Sequence, residues 1–411
     1  MEFLYECAGL LVRWLHVVAA IAWIGESFYF VMLDRALTPP KSRSPGVFGE
    51  LWSVHGGGFY HKQKYLVAPA QMPEDLHWSK WKSYATWLSG FALFMLLYMR
   101  SPTIYLIDPS IADLSPGQAN GLALAFLLGG WLIYDLLCRL LSGRDRVLGV
   151  LVAIMVLGLC YAATHLFAGR AAFLLVGAVM GTIMSANVFF VIIPGQKRMV
   201  ASLARGEHPD PAHGKRAKQR SVHNTYFTLP VVFAMLSNHY APAHAHELSW
   251  ILLALFMGAG ALIRQFFVLW HSGGRAWWLL ATGALLLLSA FAWLAPKPTP
   301  PPPARVQVPP VFAATTPEPV TAAAVDYGDA PDTATVLPIF TKHCTQCHSA
   351  TPSLMPSAPL GTMFDTTAQI DVKAVMIHQQ VVSLSIMPPG NLTQMTAEER
   401  AAIGRWFAAK K

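Results

Sequence analysis

The sequence predicts an all-α protein in two parts, a polytopic bundle of about eight transmembrane helices followed by a small helical domain, and three observations lead there. Hydrophobic residues fill 54% of the 411 positions and charged ones 13%, with a mean hydropathy of +0.42, a balance proper to a chain that spends most of its length in lipid. Apolar stretches recur along residues 1–295 at lengths near the ~20 residues that cross a bilayer. A Pro/Ala-rich interval over 296–333, with Pro300 to Pro303 unbroken, then separates them from 334–411, which carries Cys344-Thr345-Gln346-Cys347-His348.

The predicted spans are 8–33, 82–99, 119–141, 147–166, 171–193, 222–239, 249–270 and 276–295; the second and sixth are the shortest or most polar. The first reads as a helix and not as a removable leader, because Glu2 and Glu6 replace the positive head of a signal peptide. Basic residues crowd alternate connections: Arg35, Lys41, Lys62, Lys64 and Lys80 in the first, Arg139, Arg144 and Arg146 in the third, Lys197, Arg205, Lys215 and Arg220 in the fifth, Arg275 in the seventh. Positive residues stay inside, so odd connections are expected in the cytoplasm and both termini outside, in a bacterial inner membrane. These loops account for the net charge of +8, and no nucleic acid is needed to explain it. Cys7, Cys138 and Cys160 sit in apolar segments and read as small packing residues. The 296–333 interval behaves as a semi-rigid tether of about 3.1 Å per residue.

C-x-x-C-H is the attachment sequence of a c-type haem: Cys344 and Cys347 form the thioethers and His348 ligates the iron. No second Cys pair follows, which argues against a zinc site. Met387, beside Pro388 and Pro389, is the expected sixth ligand, ahead of Met363, Met376 and Met395. Thr396 to Glu399 reads as a capping box opening a terminal helix, with Ile403, Trp406 and Phe407 on the face that packs against a helix near Val336 to Thr341. A haem supplies much of the core that so short a domain lacks. Since haem is attached outside the cytoplasmic membrane, the motif and the loop charges predict the same topology.

Ionisable groups at membrane depth are costly and turn toward a bundle interior. Arg13, His16, Trp23, Ser27 and Phe30 share one stripe of the first span with Glu26 on its flank, and Asp135, Asn187, Asn224, Thr228 and Arg264 lie in the inner half of others. Hydrocarbon about 30 Å thick is too wide for one efficient electron hop. A second, b-type haem within the bundle is therefore a candidate, with His16 as first ligand and His165 or His239 as its depth-matched partner. The first connection contains His55-Gly56-Gly57-Gly58-Phe59-Tyr60-His61-Lys62 and later His77-Trp78. Its glycines allow a backbone to approach a ligand, and a planar anion suits Gly57 and Lys62 there; a lipid-facing loop is the plain alternative.

The blocks Trp14 to Gly25, Trp52 to Lys64, Pro69 to Pro73, Ser185 to Pro194 and Leu236 to Tyr240 resemble the bacterial membrane-bound, cytochrome-c-linked urate oxidases (urate hydroxylases), over essentially the whole chain. The resemblance implies an oxidoreductase of purine catabolism that converts urate to 5-hydroxyisourate. Its electrons would leave through the c-type haem to a respiratory-chain acceptor, a soluble cytochrome or a terminal oxidase. Urate oxidation releases protons, and His55, His77 and Glu26 are the candidate bases. Gly57, Lys62, Asn187 and Arg264 are the candidates to hold the anion, with pairing of Arg264 to Asp135 or Glu26 as its other role. Two further readings fit the same residues: another membrane haem oxidoreductase, quinol-linked or of a haem pathway, and a membrane-anchored electron carrier without catalysis of its own.

Overall fold

The computed structural model describes residues 2–41, 46–69, 71–270, 273–295, 327–355, 358–359 and 362–410; most of the Pro/Ala-rich interval, 296–326, lies outside them. The chain divides into two compact units, Met1–Ala290 with Pro389–Leu392, and Phe291–Pro388 with Thr393–Lys411.

The first unit opens with α1 (Glu2–Ala36), and then departs from a purely helical chain. Residues 47–65 form a hairpin of β1 (Val47–His55) and β2 (Gly58–Tyr65), antiparallel and in register at Trp52↔His61 and His55↔Gly58. The expected ligand-approaching loop is this hairpin. Gly56 and Gly57 take φ of 58° and 79°, the left-handed pair that a two-residue turn requires, so the glycines serve chain reversal. Glu50 anchors the ribbon: its backbone pairs both ways with Thr38, and its carboxylate accepts from the Lys41 N–H (3.0 Å) and His61 Nε2 (2.9 Å). Those bonds, the Lys41 one foremost, hold its pKa below the usual carboxylate range.

Then follow α2 (Trp81–Leu93), which continues as a π-helical turn to Met99, α3 (Pro102–Tyr105), α4 (Pro116–Leu140), α5 (Asp145–Thr164) and α6 (Gly169–Ala186). A second π turn over Asn187–Ile192 joins α6 to α7 (Ile193–Ala204), where Pro194 lacks the N–H that a regular ladder would use. The unit closes with α8 (Pro211–Leu236), α9 (Ala241–His244), α10 (Ser249–Trp270) and α11 (Trp277–Leu294). Capping follows the sequence: Ser115 and Gln118 form a capping box on α4, and the Asp210 carboxylate accepts from the Ala212 N–H on α8.

Among the described residues six helices are long and apolar enough to cross a membrane: Cys7–Ala36, Pro116–Leu140, Asp145–Thr164, Gly169–Ala204, Ser249–Trp270 and Trp277–Leu294. The segments predicted as second and sixth spans are helical but fall short of that apolarity, because Lys82, Ser83, Thr86 and Ser89 occupy one and Arg220, His223, Asn224, Thr225 and Thr228 the other. Cys138 and Cys160 are buried, Cys7 is half-buried, and all three are free thiols.

The second unit contains α12 (Thr333–His343), α13 (Thr367–Val372), α14 (Ala374–Ile377) and α15 (Ala397–Ala409). Thr396 and Glu399 form the expected capping box on α15. Trp406 is fully buried, meets Phe340 of α12 edge-on at 5.7 Å, and donates from Nε1 to Thr333 Oγ1 at 3.0 Å. Its polar edge is thus satisfied while its rings fill the core.

Candidate functional site

A cavity of about 620 Å³ opens in the first unit, of a size for a small organic ligand. The helical spacing of α1 brings Trp23, Glu26, Ser27, Phe30 and Asp34 to its wall. Met72, His77, Trp78 and Ser79 come from the segment between hairpin and α2, Gln196 and Met199 from α7, and Ser221, Asn224 and Thr225 from α8. Both carboxylates carry a lysine: Lys82 Nζ of α2 lies 2.7 Å from Glu26, which also accepts from Ser79 Oγ, and Lys64 Nζ of β2 lies 2.7 Å from Asp34. An anion entering this space therefore meets aromatic faces and hydrogen-bonding groups without a net negative charge opposing it.

Behind the α8 wall runs a buried polar chain. Asp135 of α4 accepts from Arg220 Nη2 and Arg139 Nε, each at 2.6 Å. Arg220 Nη1 donates to Asn187 Oδ1 (3.1 Å), and Asn187 Nδ2 donates to Asn224 Oδ1 (2.9 Å) and to the Tyr134 hydroxyl (3.2 Å). Tyr134 in turn lies 2.8 Å from His223 Nδ1, and Asn224 Nδ2 donates to the Met184 carbonyl at 3.0 Å. Arg220, expected in the fifth connection, lies instead within α8 and is buried, because one turn before Asn224 on the same face it finds Asp135 to neutralise it. The i, i+4 relation of Arg220 and Asn224 was the signal for this, masked by the preceding run of lysines and arginines.

Of the predicted bases, Glu26 and His77 line the cavity, whereas His55 ends β1 as an exposed residue and is not in its wall. Among the predicted anion holders, Gly57 sits in the hairpin turn, and Lys62 donates to Ser53 Oγ (2.7 Å) and lies over the Tyr29 ring at 5.2 Å. Asn187 is fully buried behind Asn224. Arg264 pairs with neither Asp135 nor Glu26: it is buried over the Phe28 ring at 5.1 Å, and its Nε and Nη2 have no hydrogen-bond partner among the described residues.

His16 packs against α2. Its Nδ1–H donates to the Thr86 carbonyl at 3.0 Å with Ser89 Oγ at 3.1 Å, which leaves Nε2 with the lone pair through which an imidazole ligates metal. Gly90 makes room for the ring, since a methyl there would come within 2.8 Å of His16 Cε1. His165 is exposed with Nδ1 on the Tyr161 carbonyl (2.7 Å), and His239 is exposed.

In the second unit, Cys344, Cys347 and His348 share one turn: the Cys347 and His348 amides both donate to the Cys344 carbonyl, at 3.1 and 2.8 Å. His348 Nδ1 donates to the Thr362 carbonyl at 3.0 Å, again freeing Nε2, and burial holds the ring below the usual imidazole pKa, in the neutral form that ligates. Cys344 and Met387 both border the apolar cluster of Val336, Phe340, Phe364, Val381 and Trp406. The Met387 loop is clamped from both sides of its peptide, by Met387 N–H to Gln380 O (3.1 Å) and Arg400 Nη1 to Met387 O (2.9 Å). Met395, one of its competitors, is buried in the cluster itself. Two thiols and an imidazole with its Nε2 free on one turn, and a clamped methionine bordering the same apolar core, are residues that could hold a haem.

A family model described as Urate oxidase N-terminal matches residues 2–295. No curated protein and no solved structure matches the chain.

Proposed function

The chain belongs to the urate oxidase N-terminal family, and from that premise we propose that its first unit oxidises urate to 5-hydroxyisourate at the 620 Å³ cavity, without making hydrogen peroxide. The observation that carries the reading is a cavity, inside the matched residues, with aromatic walls and two lysine-neutralised carboxylates. Urate is a planar monoanion near neutral pH, and Trp23, Phe30 and Trp78 supply faces for its ring. Adding water to the ring while two electrons leave releases two protons. Glu26, fixed by Lys82 and Ser79, accepts one, and the exposed His77 at the rim passes protons to solvent.

A haem held by Cys344, Cys347, His348 and Met387 would accept the electrons one at a time and hand them to a respiratory acceptor. The chain's own contribution there is to fix both axial donors, through Thr362 behind His348 and Arg400 behind Met387. His16, with its free Nε2, belongs to the same reading as a ligand for an intramembrane relay, and two haems per chain in a pyridine-haemochrome assay are expected if it serves as one. The cavity and the odd loops are assigned to the cytoplasmic side and the second unit to the periplasm, on loop charge.

The test is anaerobic urate consumption by the purified protein with oxidised cytochrome c as sole acceptor. Two acceptors reduced per urate are expected. Peroxide formed in step with urate loss in air would exclude this route.

A further inference from the structure

Asn224 is the one member of the buried polar chain that also lines the cavity. Two of its hydrogen-bonding positions are taken inside the protein: Oδ1 accepts from Asn187, and Nδ2 donates to the Met184 carbonyl. An amide has two N–H groups and two lone pairs, so one of each remains. Asn187 has both N–H groups engaged, its Oδ1 bound by Arg220 and no exposed surface, and it does not line the cavity, so it acts through its neighbour.

The direction of this chain is not free. A guanidinium only donates, so Asn187 must turn Oδ1 toward Arg220 and Nδ2 toward Asn224. Asn224 must then turn Oδ1 toward Asn187, and the Met184 carbonyl, which only accepts, demands Nδ2 at the other end. Asp135 neutralises Arg220 and keeps it in place. A charge pair at one end and a backbone carbonyl at the other thus lock which atom of Asn224 is donor and which acceptor.

We propose that Asn224 is a substrate-reading residue whose remaining N–H and lone pair recognise a lactam edge, an adjacent ring N–H and C=O, with Asp135, Arg220 and Asn187 as positioning residues that set its polarity. The inference rests on the cavity being the urate site and names the contact that selects for a ring of that kind. A substrate methylated at the recognised nitrogen loses the donor that Asn224 accepts and leaves a buried polar atom unpaired, which weakens binding by about tenfold.

The experiment measures equilibrium binding of urate, and of urates methylated at each ring nitrogen in turn, to the full-length protein reduced beforehand so that no turnover occurs. Wild type should reject methylation at one nitrogen by about tenfold or more relative to the others. Asn224→Ala and Asn224→Ser should lose that selectivity while keeping the wild-type melting temperature within a few degrees. Asn187→Asp can accept from Arg220 but cannot donate to Asn224, and should weaken urate as Asn224→Ala does; Arg220→Lys keeps a donor and should retain the methylation pattern. Unchanged selectivity in both Asn224 variants overturns the proposal and leaves the cavity reading intact, provided Glu26→Gln alters urate handling. Failure of wild type to bind urate overturns both.

Discussion

The two units hold their candidate chemistry in opposite ways. In the second, three of the four residues that would hold a haem lie within five consecutive positions, and one turn of backbone assembles them. In the first, the cavity wall draws on α1, the segment before α2, α7 and α8, and its electrostatics depend on lysines from β2 and α2. A local site is specified by a motif, whereas a distributed one is specified by packing and is legible only as a set of unexplained polar residues at membrane depth. The comparison also separates their failure modes: a change in the motif removes a function, while a change in the bundle can remove the fold.

The largest effect expected follows from the local site. Replacing Cys344 and Cys347 together by Ser should abolish covalent haem and lower acceptor-linked urate turnover by at least about 10³-fold. Urate binding to the first unit should persist. If turnover with the physiological acceptor continues at the wild-type rate, the two units are not in series.

In the bundle, Asp135→Asn strips Arg220 of its countercharge at a buried position, and removing one partner of such a pair costs about 3–5 kcal/mol. The unfolding midpoint in nanodiscs should drop accordingly. Replacing Asp135 and Arg220 together by apolar residues of similar volume should recover most of that stability without recovering urate selectivity, which separates the pair's structural role from its orienting one.

Glu26→Gln should lower kcat by about 10²-fold, the lower range for loss of a general base, with a smaller change in urate affinity. A steady-state series with His77→Ala alongside sharpens the assignment. Should neither variant change kcat, proton acceptance lies elsewhere.

What the sequence made legible follows the same division. The C-x-x-C-H motif, the α15 capping box and the packing of Trp406 on α12 were readable because each is set by residues a few positions apart or by one helical period. The stripe of α1 was readable for the same reason, and its later part, Trp23, Ser27 and Phe30 with Glu26, lines the cavity, whereas Arg13 and His16 do not. The hairpin differs from the expected ligand-approaching loop although Gly-Gly between alternating runs is its signature, because three consecutive glycines suit close approach to a ligand as well as a tight turn. Lys64 and Arg220 read as loop charges; their partners Asp34 and Asp135 lie far along the chain, and no local pattern announces a pairing over 30 or 85 positions.

The smallest effect returns to the second unit and tests how much a local device contributes. Glu399 accepts from the Thr396 N–H at 2.7 Å and from Lys342 Nζ at 2.9 Å, and the buried His343 Nε2 lies 3.1 Å from it. Burial alone would raise its pKa, but these bonds overcome it and hold the group down at about 2. A carboxylate with a folded pKa below its unfolded value of about 4.3 stabilises the fold when ionised. That contribution is complete above about pH 5 and is lost as pH falls toward 2. Glutamine at 399 can still complete the capping box, so Glu399→Gln isolates the charge. Because Lys342 is largely exposed, the expected loss is only about 0.5–1 kcal/mol at pH 7. The denaturation midpoint of the second unit, followed by Trp406 fluorescence, should therefore differ between wild type and variant at pH 7 and converge near pH 2. A difference that stays constant down to pH 2.5 would assign the contribution to hydrogen-bond geometry, and the carboxylate's charge would then play no part in holding α15 against α12.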